Sequence, residues 1–146
     1  MENPGKQMYS IAGELFPICR SITGDGVRQT LQILKRTIPQ MDIIEVPSGT
    51  QAFDWEVPKE WNISEGYIED SAGVRVVDFK NNNLHIVGYS TPVDAYMPLE
   101  ELKKHIYTEE SQPTVIPYVT SYYKERFSFC MSEEQKNSLP EDTYHM

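Results

Sequence analysis

The sequence is short of positive charge. It carries 13 lysines and arginines against 22 aspartates and glutamates, a formal net charge of −9. Phosphate backbones are bound by concentrated lysine and arginine, so a chain without a basic cluster is a poor partner for nucleic acid. Cysteine is nearly absent: Cys19 and Cys130 are too few for a disulfide framework or a zinc cage. They read as reduced thiols of a cytoplasmic protein. No apolar run reaches the roughly 18 residues of a membrane-crossing helix, and the opening Met1–Gln7 is polar, with no secretory core. The reading is therefore a chain with neither nucleic acid nor membrane as partner.

Catalytic signatures are missing too. There is no Gly-x-Ser-x-Gly, no phosphate-binding glycine loop of the known spacings, and no His-Glu-x-x-His. The three histidines, His85, His105 and His145, are scattered. His85 is expected to be packed or hydrogen-bonded on a strand, His105 to face solvent, and His145 carries no signal. Cys130 follows Phe129 among apolar neighbours, so burial is expected rather than reactivity. Asn62-Ile-Ser64 matches a glycosylation sequon, which without a leader reads as accidental.

What is present is enough to fold. Length suits one domain, or one domain with part of another. Met8, Ile11, Ala12 and Leu15 share a helical face, limited by Pro17. Val27, Leu31, Leu34 and Ile38 form a second stripe, with Thr23 or Asp25 as its cap, Lys35 and Arg36 at its end, and Pro39 beyond. Ile43–Val46 reads as a strand. Residues 50–61 read as an extended segment anchored by Phe53, Trp55 and Trp61. Residues 67–70, 74–79 and 84–89, with turns at Ser71-Ala-Gly73 and Asn81-Asn-Asn83, predict a three-stranded antiparallel meander. Pro98–Tyr107 predicts a helix facing inward through Leu99, Leu102 and Ile106. Ser132-Glu-Glu-Gln135 is a capping box for a last short helix running to Leu139. After Pro140 a strand would naturally begin. The fold class is α+β.

Four stretches carry a resemblance. They are Arg20-Ser-Ile-Thr-Gly-Asp-Gly-Val-Arg28, Pro47-Ser-Gly-Thr-Gln-Ala-Phe-Asp-Trp-Glu-Val-Pro-Lys-Glu-Trp61, Asn83-Leu-His-Ile-Val-Gly-Tyr-Ser90, and Ile116-Pro-Tyr-Val-Thr-Ser-Tyr-Tyr-Lys-Glu-Arg126 followed by Phe129-Cys130. In this order they resemble the N-terminal part of the aminopeptidase-like-domain proteins, bacterial and archaeal relatives of di-zinc exopeptidases found near polysaccharide or natural-product biosynthesis. Phe127-Ser128 departs from the family's usual Trp-Gly.

The resemblance implies that residues 1–50 are the opening helices and first strand of a zinc-peptidase α/β domain. Residues 51–135 would be an inserted, mainly antiparallel β-rich domain, and 136–146 the return toward the peptidase domain. It implies zinc for the full-length protein, with ligands downstream of Met146, and no metal or peptidase activity in this chain by itself. The expected partner is the remainder of the peptidase domain, with self-association through exposed apolar surface in its absence. Arg20, Asp25, Trp55 and Tyr122, all in the motif stretches, are the candidate substrate or interdomain contacts. A stand-alone module binding a peptide or glycan through its aromatic residues is the alternative.

Overall fold

The computed structural model describes residues 3–146. It is an α+β chain, as expected, and it divides into two compact units, Met1–Asn62 and Ile63–Met146.

The first unit opens with helix α1, Pro4–Leu15. Asn3 caps it, its side chain accepting from the Gly5 N–H at 2.9 Å, and Pro4 supplies a preset first-turn φ. Helix α2 spans Asp25–Thr37. Neither Thr23 nor Asp25 caps it. The N-cap is Gly24, at φ 92°, and the cap bond comes from far away: Asn62 Oδ1 accepts from the Asp25 N–H at 2.8 Å. A Cβ on Gly24 would lie 2.5 Å from the Trp61 carbonyl oxygen, so backbone approach fixes glycine here. Glu60 receives both guanidinium nitrogens of Arg28 beside this cap.

Ile43–Val46 is not a strand. No neighbouring strand pairs with it, and a backbone without a ladder partner stays irregular and hydrated. The 50–61 segment instead folds back as a hairpin of β1, Gln51–Ala52, and β2, Trp55–Glu56. Its two-residue tip puts Phe53 at φ 53° and 99% exposed, so Phe53 is no anchor.

The second unit holds a four-stranded antiparallel sheet. β3, Tyr67–Glu69, and β4, Arg75–Asp78, form the predicted hairpin, closed by Gly73 at φ 78° and by Asp70 Oδ1, which accepts from the Val74 N–H at 2.8 Å. The meander stops there. Asn83–His85 is a 3-10 turn, and the chain after it bonds to the 119–128 segment, with the Val87 N–H donating to the Ser128 carbonyl at 3.1 Å. The inner place beside β3 belongs to β8, Thr143–His145, which also pairs with β5, Tyr96–Pro98, giving the order β4-β3-β8-β5.

The predicted 98–107 helix breaks into three pieces: α3, Leu99–Leu102, a 3-10 turn at Lys103–His105, and β6, Ile106–Tyr107. β6 runs parallel to β7, Phe129–Cys130. Leu99, Leu102 and Ile106 are nevertheless all buried. Helix α4, Glu133–Ser138, carries the expected cap, with Ser132 Oγ accepting from the Gln135 N–H at 3.0 Å. Ile68, Val77, Val87, Leu102, Met131 and Tyr144 form the heart of the core.

Candidate functional site

The four motif residues do not form one cluster. Arg20 donates from Nη1 to the Leu15 carbonyl at 2.8 Å, placing a cation at the negative end of the α1 dipole. Asp25 is the first residue of α2, and its carboxylate receives Arg28 at 3.3 Å. Both have structural duties. The Arg28 contact with Glu60 dominates locally: the hydrogen bond from Arg28, more than its charge, lowers the Glu60 carboxyl below its ordinary range. Trp55 stands on the β1–β2 hairpin, 43% exposed. Tyr122 belongs to the second unit. Its ring meets Tyr89 edge-on at 5.1 Å and Tyr123 at 6.5 Å. Tyr89 itself sits at φ 66°, an uncommon backbone state for an aromatic residue.

Cys130 is fully buried, and burial pushes its thiol up to about 11, so it is no nucleophile. His85 is buried with Nδ1 2.7 Å from the Cys130 carbonyl oxygen, hydrogen-bonded as expected, though on a turn rather than a strand. His105 does not face open solvent. Its ring stacks on Phe127 at 4.3 Å, because the helix expected around it ends in a turn that brings the ring back over the 127–130 segment.

The residue that sequence reasoning missed is His145. It lies on the central strand β8, and its side chain is 18% exposed. Nε2 is 2.9 Å from Asp94 Oδ1 and Nδ1 is 3.4 Å from Glu69 Oε1. Tyr96 stacks on the ring at 4.4 Å, and Tyr67 meets it edge-on at 5.8 Å. The hydrogen bond to Asp94, followed by that to Glu69, raises the imidazole above its ordinary value against the opposing effect of partial burial. No local motif announces this group, because its members come from positions 67–69, 94–96 and 145 and meet only through strand pairing.

The cluster is not a metal centre. The two carboxylates lie on opposite nitrogens of the ring, so the three groups do not converge on one point. Among the described residues no three histidine, cysteine or acidic side chains are placed to hold a metal ion. The zinc implied by the resemblance finds no ligand set in residues 3–146. Among the same residues no helix is long and apolar enough to cross a membrane.

A Clostridium acetobutylicum protein named "Putative polysaccharide biosynthesis protein with aminopeptidase-like domain" is 49% identical over 142 residues, which is 97% of this chain and 32% of that protein. A solved structure, "Crystal structure of putative peptidase" from the same organism, superposes with a TM-score of 0.92 at 49% identity, covering 97% of this chain and 33% of that one. The chain thus spans about a third of the length of these relatives. Residues 60–146 match the family described as a domain of unknown function, DUF2172. That match takes in the whole second unit and more than half of the sequence, and the chain belongs to the DUF2172 family.

Proposed function

We propose that this chain is the scaffolding third of a zinc-dependent aminopeptidase-like hydrolase and is not catalytic by itself. On this reading residues 1–50 belong to the peptidase domain, 51–135 form an inserted β-rich domain, and 136–146 lead back. The observation that supports it most is the likeness, over 97% of the chain, to one third of a protein named for an aminopeptidase-like domain. Zinc in a complete site polarises the scissile carbonyl and lowers the pKa of a bound water. The ligands for it would come from the other two thirds. The contribution here is a wall of the substrate cleft, in a cytoplasmic protein whose two cysteines stay as free thiols.

The partner in this reading is the remainder of the peptidase domain. Phe16, Ile44 and Phe53 are 84%, 82% and 99% exposed, more apolar surface than so short a unit would leave bare if it worked uncovered. Trp55, on the same hairpin as Phe53, is the motif residue best placed for an interdomain contact. Without that partner the chain should self-associate, and light scattering showing a concentration-independent monomer counts against the covering role.

The decisive measurement is hydrolysis of an aminoacyl chromogenic substrate in the presence of zinc. The 146-residue chain should give none, and a chain of the relatives' full length should give turnover that a chelator removes. Turnover by the 146-residue chain overturns the reading.

A further inference from the structure

The sheet of the second unit has a weak seam. β3 and β4 share three register pairs, and β5 and β8 share three, but β3 and β8 share one, Glu69 with His145. A single pair leaves most of the backbone between the two halves of the sheet without a ladder, so side chains must supply what the ladder does not. His145 stands at that pair and reaches to both sides of it.

The imidazole faces a carboxylate oxygen at each nitrogen. A neutral imidazole has one N–H and one lone pair, so it can satisfy only one of the two acids and sets a lone pair against the other. The imidazolium donates at both. Tyr96, stacked at 4.4 Å, presents a π face to the same ring, which favours the cation further. Three other charged groups beside the seam are engaged elsewhere: Asp70 accepts from the Ala72 and Val74 N–H groups, and Arg75 and Asp142 have partners of their own. Arg75 of β4 lies over Tyr67 at 4.0 Å, and its nitrogens bind Asp78 at 3.0 Å and Glu65 at 3.2 Å. Asp142, at the foot of β8, accepts from the Ser71 N–H at 3.1 Å and the Ser71 hydroxyl at 2.8 Å.

We propose that His145 is a proton-operated clasp. As an imidazolium it ties the β3–β4 hairpin, through Glu69, to the β5–β8 pair and the Asp94 loop. On losing its proton it releases the seam.

The direction follows from linkage. The folded state raises the imidazole above 6.5, so its stabilisation is complete below that value and is lost as pH rises through the raised folded value. The clasp is closed in mild acid and opens on the alkaline side, the reverse of a histidine that is buried neutral and charges on acidification. Asp142 behaves oppositely. The Ser71 N–H, then the Ser71 hydroxyl, lower its carboxyl, so the lower tie fails only in acid. The seam is held fully between the two.

The test uses the 146-residue chain and is independent of zinc and of any peptidase activity. The His145 ring is titrated by NMR, and amide exchange of β3 and β8 is compared at about pH 6 and about pH 8.5, corrected for intrinsic rate. His145 should titrate above the ordinary histidine value. Protection of the seam amides should fall at the higher pH while the β3–β4 turn amides hold. In His145→Gln that pH response should vanish. Asp94 is 90% exposed at its side chain, so Asp94→Asn should fold and should move the His145 titration down, by more than Glu69→Gln does. A His145 titration at or below the ordinary value, or an unchanged pH response in His145→Gln or Asp94→Asn, overturns the proposal.

Discussion

The two units obey the same local rules and end in different states. Among the described residues, thirteen of the fifteen buried apolar side chains lie in 63–146, and only Ile33 and Pro58 lie in 1–62. The large exposed apolar residues distribute the other way: nine of fourteen belong to the first unit, though it is the shorter. Yet the first unit has the longer helices, a side-chain N-cap, a long-range cap and a well-formed hairpin tip. Good local structure does not make a core. Most helix stability in proteins comes from burying an apolar face, and here α1 and α2 bury little of theirs. The second unit shows the converse. Its strands are two to four residues long and its helices are short, but the pieces close on one another around Ile68, Leu102 and Tyr144.

The largest break in this comparison should come from one pair of substitutions. Leu102 is fully buried in the second unit, and Leu102→Ala should cost about 3 kcal/mol, the transfer and cavity cost of a core leucine. Ile44 is 82% exposed in the first unit, and Ile44→Ser should shift the unfolding free energy by no more than about 0.5 kcal/mol. Its effect should appear instead as weaker self-association in light scattering. Chemical denaturation of both variants reads the difference. Equal costs would mean that Ile44 is packed in solution and that the first unit has a core of its own.

The sequence disclosed most where one residue's chemistry decides locally. The Ser132 cap, the Gly73 hairpin turn, the buried Cys130 and the inward Leu99, Leu102 and Ile106 are all of this kind. It misled where the outcome depends on a partner distant in sequence. Ile43–Val46 has strand composition but pairs with no strand among the described residues. Leu84–Tyr89 has it too, but its hydrogen bonds go to the 119–128 segment, so β4 stays at the edge of the sheet, and the strand that extends the hairpin is β8, on the β3 side. The sequence points to Thr23 or Asp25 as the cap of α2, but the N-cap is Gly24 and the capping bond comes from Asn62. The same reason hid His145, whose acids stand 76 and 51 residues away. Element type follows from pattern, whereas register and capping across loops follow from which segments meet.

The two helix caps offer the finest version of the comparison. Ser132 caps α4 from within its own helix start, and Asn62 caps α2 from 37 residues downstream. Replacing either cap by alanine removes one bond to an otherwise unpaired helix N–H and should cost about 1 kcal/mol at the helix. The consequences should differ in reach. Ser132→Ala loosens one turn in a unit already held by its core. Asn62→Ala cuts a tie between α2 and the 58–62 segment where, apart from the Arg28–Glu60 pair and the Thr23 hydroxyl on the Lys59 carbonyl, few bonds replace it. Hydrogen exchange should therefore show loss of protection confined to α4 in the first variant. In the second it should spread along α2, toward Thr37. Loss confined to the first turn of α2 would show that the first unit is held by more than its local bonds, and would narrow the contrast between the two halves of the molecule.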